Sequence, residues 1–516
     1  MYASIFGADN EDPKGMAAPG ARRLFYAALA ATLILKLLFA TFLPMTGDEA
    51  YFIVWGMHPA MGYYDHPPMV GWWLSALLPF GHAEWWLRMP VILLNTFIGW
   101  AVMRILRPHR GDLAYLTGTL YLIAPVNLYN VLITTDTPVI LFIFLTGWAY
   151  YQALVSQAWR DYVLSGLAVG LGMLSKYFEG LIAIALGAHW LLLDRRRRSF
   201  LGLLLVAAIG AALFAQNIWW NYEHCWDNFL FNLVNRTHHG LRIDGPPVYL
   251  LTLIYLITPP ILLGLYRVRS QIRARLREPL VGGFALFAGV PLLLFGLLSF
   301  KNQIGLHWLL GFYPFVFVLY GALCEAKAQR KALRFMFWFS AAHVVLLGTL
   351  LALPTPALKH IAPKFYPIVV LGSHTAAVWK AAEPYAAGRH LATRGYATAG
   401  ILEYHTQRHF AVFGTGSDHG REDDSLTDFR NWNGQNVLLI STNDLPATAY
   451  APYFEKVRKV VVNVQGAPIS LILGDGFKYA QYYAKILKPI RNSYYRFPHW
   501  LPVGQCPFTQ RYFGTK

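Results

Sequence analysis

Eleven apolar runs, most of them about 17–25 residues long and so able to cross a hydrocarbon core, fill residues 24–353 near 24–44, 87–106, 112–132, 136–155, 162–179, 180–194, 200–221, 246–266, 280–300, 305–324 and 333–353. The fifth and sixth are short. Each run predicts a transmembrane helix, and most stretches between them are short; 45–86 and 222–245 are the long ones. Residues 45–86, "MTGDEAYFIVWGMHPAMGYYDHPPMVGWWL" and its continuation, mix aromatic and acidic residues at a length that calls for a structured first loop. From about Pro354 the pattern changes: "PTPALKHIAPKFYPIVV" is proline-rich, and the tail alternates short β-like runs with candidate helices. "NVLLIST" (436–442) and "KVVVNV" (459–464) read as strands, "AAVWKAAEPYAAGRHLAT" (376–393) and "GFKYAQYYAKIL" (476–487) as helices. The expectation is an all-α polytopic membrane bundle of about 11 helices over 24–353, a soluble α/β domain over 354–516, and an N-terminal segment over 1–23. That segment is too polar and too long for a cleaved signal peptide, so the first run is read as a retained helix.

Charge placement turns this pattern into a topology. Arg22 and Arg23, Arg104 to Arg110, Arg160, the "RRRR" at 195–198, Arg267 to Arg277 and Lys327 to Arg334 all fall on one side if the helices alternate. That is the positive-inside distribution, which places the N-terminus in the cytoplasm and the tail outside the cytoplasmic membrane. Composition agrees: of 516 residues 56% are hydrophobic and only 14% charged, far from a soluble domain. The net charge of +17 therefore reports cytoplasmic loops, and nucleic acid is not an expected partner. Cys225, Cys324 and Cys506 are far apart and lack a CxxC spacing, which implies neither a disulfide framework nor a structural zinc site.

The same topology gathers the unusual polar residues on the outer face. Asp48, Glu49, Asp65, His66 and Glu84 lie in the first outer loop, Asp136 in the second outer turn, and Lys176 and Glu179 at the outer end of the fifth run. "TGDE" has the form of a helix N-cap with acidic first-turn residues, the bland reading of Asp48 and Glu49. In "YYDHPPMVGWW" two prolines hold Asp65 and His66 extended ahead of a helix. Asp136 in "LITTDTPVILFIFL" has a cap as its bland reading, and Lys176 in "GMLSKYFEG" a snorkelling one. Charges at membrane depth cost roughly 2.5–3.5 kcal/mol each on insertion scales, so they are functional candidates by default. Carboxylates with Arg88, Lys176, Lys301 and a protonated His66 suit group transfer from a phosphate-bearing lipid.

The order of "DEAYF", "YYDHPP", "LRMP" (87–90), "TTDTP", "LSKYF", "WWNYEHCWDNFLFN" (219–232) and the tail segment 401–442 resembles the GT-C type membrane glycosyltransferases, in the protein O-mannosyltransferase-like family that includes the aminoarabinose transferases of lipid A. The resemblance implies inverting transfer of a sugar from a polyprenyl-phosphate donor to an acceptor on the outer face, with a glycolipid such as lipid A favoured. It implies Asp48 as the general base, supported by Glu49, and Asp136 as a second acidic position near a sugar. Lys176, Arg88 and His66 are then the cations facing the leaving phosphate, and Asp65 is expected beside His66 as a substrate-binding acid presented to the lipid head group; "HWLLGFYP", with His307 after Lys301, resembles a segment near the donor. One departure matters. The aminoarabinose transferases carry lysine where this chain has His66, and histidine near its unperturbed pKa of about 6.5 is only partly charged at neutral pH. The lysine's role is therefore not carried over intact, nor is aminoarabinose inferred as the sugar.

Asp48 and Asp136 are the candidates for a divalent metal, which the sequence does not require. His224, His238 and His239 fit no ligand spacing and read as loop histidines. Two other function classes compete: a transporter or flippase of lipid-linked sugars, which predicts inverted repeats and broken helices, and a scaffold that acts through its outer domain. A protein hydroxyl and a cell-wall polymer stand beside lipid A as acceptors.

Overall fold

The computed structural model describes residues 20–232, 240–498 and 500–514. His238 and His239 lie outside the described residues, as does most of the N-terminal segment. The chain forms two compact units, one from Met1–Phe42, Ala83–Ala215 and His238–Leu350, the other from Leu43–His82, Gln216–Thr237 and Leu351–Lys516. The first loop thus clusters with the tail.

Every apolar run coincides with helix. Gly20–Phe42, Met89–Arg110, Asp136–Ser156, Arg197–Glu223, Pro279–Leu298 and Ala326–Ala352 are long and apolar enough to cross a membrane. The run at 246–266 becomes Gly245–Ile257 and Pro259–Arg267, bent by 90°. The break falls at Thr258, whose φ of 69° leaves the helical region just ahead of two prolines that disfavour helix before them. Pro125 divides 112–132 in the same way, into Leu113–Leu122 and Pro125–Tyr129. Trp159–Met173, Glu179–Leu192 and Tyr313–Leu323 are shorter helices of 15, 14 and 11 residues. An aromatic core that includes Tyr121, Phe144, Phe284, Phe287 and Phe315 joins them.

The second unit holds a five-stranded sheet in the order β2-β1-β3-β5-β4, formed by β1 (His390–Thr393), β2 (Ala411–Val412), β3 (Val437–Ser441), β4 (Phe454–Val464) and β5 (Ala467–Phe477). β1 is parallel to both β2 and β3; β5 is antiparallel to β3 and β4. Gln465 and Gly466, at φ 52° and 80°, form the two-residue turn between Val464 and Ala467. Two successive left-handed residues are what a tight hairpin needs to match strand twist. "NVLLIST" and "KVVVNV" are strands as expected. The helix expected over 376–393 ends at Ala382, and "HLAT" is β1: four residues too short to show a period, paired on both edges. In 476–487 the first two residues finish β5, and the helix starts at Tyr479.

The cysteine expectation is overturned. Cys225 and Cys506 form a disulfide across 281 residues, tying the segment after the long Arg197–Glu223 helix to the C-terminal helix Pro507–Phe513. Spacing could not show it, because the pairing depends on both segments entering one compact unit. Cys225→Ser/Cys506→Ser should lower the stability of that unit by about 2–4 kcal/mol. Thermal melts with and without reductant check this: wild type should lose stability on reduction and the variant should not respond.

Candidate active site

Thr46 caps the helix Gly47–Met57: its Oγ1 accepts from the Glu49 N–H at 3.3 Å, and Glu49 Oε2 accepts from the Thr46 N–H at 3.2 Å. This is a complete capping box, and it engages the fully buried Glu49 carboxylate. Asp48, one residue earlier, points the other way by helical geometry and is exposed. Its Oδ1 accepts a 2.7 Å hydrogen bond from the Tyr396 hydroxyl.

Tyr396 opens the helix Tyr396–Thr406, which packs closely on the helix carrying Asp48. Glycines allow the approach: a Cβ on Gly47 would sit 2.3 Å from Ala397 Cβ, and one on Gly400 2.9 Å from the Tyr51 nitrogen. The Tyr396 ring rests against Tyr51, with centroids at 4.9 Å, and edge-on to His419 at 5.4 Å. Gly420 completes the seat. At φ 74° it occupies a left-handed conformation, and a Cβ there would meet the Tyr396 ring at 2.2 Å.

Asp65 lies beneath this layer, fully buried. It accepts from the Tyr51 hydroxyl at 2.9 Å and from the Gly420 N–H at 3.1 Å, and His419 Nδ1 stands 3.3 Å away. Tyr51 Oη in turn accepts from the Glu422 N–H at 3.2 Å, and the Tyr64 N–H donates to Glu422 Oε2 at 2.8 Å. Asp65 therefore fastens the first loop to the tail segment 419–422. Burial pushes the Glu422 carboxyl up to about 8, with the charges of Asp65 and Asp424 adding to it. Burial also drives the Tyr51 hydroxyl well above its ordinary range. Arg421 donates to the Thr415 and Ser417 carbonyls and pairs with Asp424 at 2.7 Å, which shapes the "GTGSDHG" turn. His66 is buried edge-on between Trp55 and Phe231, each ring at 6.3 Å.

A second polar cluster belongs to the helical unit. Asp136, in the first turn of Asp136–Ser156, receives Lys176 Nζ at 2.8 and 3.0 Å. Both are nearly buried, at 5% and 6% exposure. Lys176 sits in the turn after Trp159–Met173 and lies 5.1 Å over the Phe178 ring. His307 Nε2 is 4.0 Å from the same carboxylate. Three predicted residues thus come together: Asp136, Lys176 and His307. Two others do not join them in this cluster. Arg88 is fully buried, donating to the Ala40 carbonyl at 2.7 Å and lying 3.5 Å from Glu84, while Lys301 is exposed.

Several residues escaped the sequence reading. Tyr396 and His419 reach the first loop from more than 300 positions away; His419 lies in the tail segment 401–442, yet nothing local assigns a role to either. Lys36 left a signal that was passed over: a lone lysine within an apolar run, now buried and donating to the Ile92 carbonyl at 2.9 Å and Thr96 Oγ1 at 2.6 Å. His224 stacks on Trp220 at 4.2 Å, an ordinary loop packing. Among the described residues no group of three or more His, Cys, Asp or Glu is arranged to hold a metal ion.

A further triad stiffens the tail. His409 Nδ1 meets Glu403 at 3.0 Å and its Nε2 meets Asp423 at 3.2 Å. Burial works against the His409 charge, but the hydrogen bonds to Asp423 and Glu403 outweigh it and raise the imidazole from 6.5 to about 10. Burial likewise opposes the Glu403 charge, while His409 and His58 lower it from 4.5 to about 2. The stabilisation from His409 is full below pH 6.5 and is lost as pH rises through about 10; that from Glu403 is full above 4.5 and lost as pH falls toward 2. The stability difference between wild type and His409→Asn should therefore peak between pH 4.5 and 6.5, measured by melting across pH. Solvent trims its size, since the His409 side chain is 40% exposed.

Residues 65–220 match the family model described as dolichyl-phosphate-mannose-protein mannosyltransferase. That region contains "DHPP", "LRMP", "TTDTP" and "LSKYF", so the family resemblance drawn from the motifs is borne out. The lipid A galacturonosyltransferase RgtD of Rhizobium johnstonii is 28% identical over 181 residues, 34% of this chain; the match spans 38% of that relative's length. Two crystal structures of ArnT from Cupriavidus metallidurans share the fold: the apo state at TM-score 0.58 and the undecaprenyl phosphate complex at 0.56. Each is 16% identical and covers 88% of this chain and 98% of the other.

Proposed function

We propose that this chain is an inverting membrane glycosyltransferase that moves a sugar from a polyprenyl-phosphate-linked donor to an acceptor on the outer face of the cytoplasmic membrane. One observation carries the reading. Of the acidic residues in the first loop, Glu49 caps a helix, Asp65 is buried under Tyr51 and Gly420, and Glu84 lies beside Arg88; Asp48 presents an exposed carboxylate oriented by a tyrosine. A base of that kind takes the proton from an acceptor hydroxyl as the oxygen attacks the anomeric carbon. The sugar–phosphate bond breaks on the opposite face, and the polyprenyl phosphate leaves as an anion. Lys176 is the cation assigned to that anion, with His307 beside it. Glu49 acts through the cap that fixes the helix, and Asp136 holds Lys176 and faces a sugar.

The acceptor favoured is a glycolipid such as lipid A, in keeping with what the galacturonosyltransferase relative is named for. The undecaprenyl phosphate bound by the structural neighbour supports a polyprenyl carrier. Eleven membrane passes, a cytoplasmic N-terminus and an outer α/β domain over 354–516 complete the reading. The Cys225–Cys506 disulfide supports the outer location of the tail, because such bonds persist in oxidising compartments. Mass spectrometry of lipids and glycans from cells with and without the protein tests the proposal. A sugar missing from one defined acceptor supports it, and unchanged profiles on all acceptors overturn it.

A flippase of lipid-linked sugars is the second reading, favoured by the broken helix pair at Thr258. It predicts that transport in vesicles proceeds without any new glycosidic bond.

A further inference from the structure

A slot runs between the helices Asp136–Ser156 and Trp159–Met173, with a cavity of about 660 Å³. The two helices form an antiparallel hairpin turned at Gln157, which takes a left-handed φ of 55°. Phe142, Leu145 and Trp148 line the slot from the first helix, and Leu164, Leu167 and Leu171 from the second. These positions recur at three- and four-residue spacing, so each helix offers one continuous apolar stripe. The polar lining collects at the other end. Gln152, Ser156, Arg160 and Asp161 all lie near the hairpin turn. The slot is thus graded along its axis from fully apolar to charged.

Its length is also telling. From Phe142 to Ser156 the helix rises about 21 Å at 1.5 Å per residue, against a hydrocarbon core about 30 Å thick. That is one leaflet with part of the headgroup region.

The charged end is built for an anion. Arg160 has an 81% exposed side chain, and Asp161 engages its Nε at 3.1 Å. Asp161 itself is nearly buried and held by the Ser156 hydroxyl at 2.6 Å. Arg198 joins the same turn, lying 5.1 Å over the Trp159 ring and donating to the Gln157 carbonyl at 2.7 Å. Two guanidinium groups against one carboxylate leave a net positive charge where a phosphate would sit.

We infer that this slot is a binding site for one anionic glycerophospholipid, an acyl chain between the two apolar stripes and its phosphate on Arg160 and Arg198. The inference rests on the membrane reading and is independent of the reaction. A juxtamembrane arginine contributes roughly 1 kcal/mol toward anionic lipid, which corresponds to about fivefold in affinity.

Native mass spectrometry of the full chain in detergent, titrated with phosphatidylglycerol or phosphatidylethanolamine, tests it. One phosphatidylglycerol per chain should be retained at least about fivefold more strongly than phosphatidylethanolamine. Arg160→Gln should cut that preference about fivefold and Arg160→Gln/Arg198→Gln should remove it, while sparing weak binding of both lipids. Leu167→Trp should fill the slot and remove both; if it fails to fold, Ala149→Phe replaces it as the blocking variant. Equal retention of the two lipids, an Arg160→Gln protein with unchanged preference, or lipid retained by a folded blocking variant would each overturn the inference. Displacement of phosphatidylglycerol by equimolar undecaprenyl phosphate would overturn it as well, by assigning the slot to the polyprenyl carrier.

Discussion

Asp48→Asn is expected to lower sugar transfer by about 10²–10⁴-fold, the usual worth of a positioned acid–base group, with the protein still folded and still binding donor. The exchange is isosteric. An asparagine carbonyl can accept the Tyr396 hydroxyl as Oδ1 does now at 2.7 Å, and the capping box uses Thr46 and Glu49, so the helix start is untouched. What disappears is the group that accepts the acceptor's proton. Transfer measured with a polyprenyl-phosphate sugar and a glycolipid acceptor should fall in kcat, while donor retention on the purified protein stays constant. Tyr396→Phe is the companion arm: the carboxylate remains but its orientation is released, so the loss should be smaller than for Asp48→Asn. A Tyr396→Phe loss equal to that of Asp48→Asn would argue that the tyrosine itself moves the proton. Transfer by Asp48→Asn within about threefold of wild type would remove Asp48 from the chemistry, since a base in reach of its substrate is worth far more than that.

The membrane helices were legible because they depend on local composition. A run of about 20 apolar residues has few alternatives to helix in a bilayer, where every backbone polar group needs a partner within the chain. Each of the eleven runs coincides with helix, six of the described helices are long and apolar enough to cross a membrane, and the breaks at Thr258 and ahead of Pro125 fall where proline intervenes. The bland reading of "TGDE" as a cap holds for Glu49; adjacent residues on a helix face different directions, so Asp48 remains exposed, as the proposed base must be. What could not be read is non-local. Asp65 looked like a ligand-facing acid, yet its partners are Gly420 and His419, and a hydrogen bond across 355 residues has no signature in spacing. The disulfide and the strand β1 failed for the same reason, since each is defined by a partner far along the chain. Lys36 is different. Its position in an apolar run was visible, and the cost of a membrane-buried lysine was reason enough to seek its partners.

Removing one member of the Lys176–Asp136 pair is expected to destabilise the helical unit by about 3–5 kcal/mol, because the survivor becomes a buried charge with its counter-charge gone. The geometry makes this a strict case: both side chains are below 10% exposed, and Nζ contacts both carboxylate oxygens, at 2.8 and 3.0 Å. Asp136→Ala and Lys176→Ala should each show it in thermal melts in detergent. The double variant Asp136→Leu/Lys176→Met should recover most of the loss, since apolar groups of similar volume pack where an ion pair had to be desolvated. Stability and activity then separate. If Lys176 faces the departing phosphate, the double variant folds yet transfers no sugar at a useful rate, because the lysine ammonium is gone and the basic group left beside position 136 is His307, a histidine with a 54% exposed side chain. Single variants that melt like wild type would mean that water or another group compensates the charge. A stable double variant with full transfer would confine the pair to the fold, and the phosphate partner would have to be sought among other cations such as Lys36, held on the Ile92 carbonyl and Thr96.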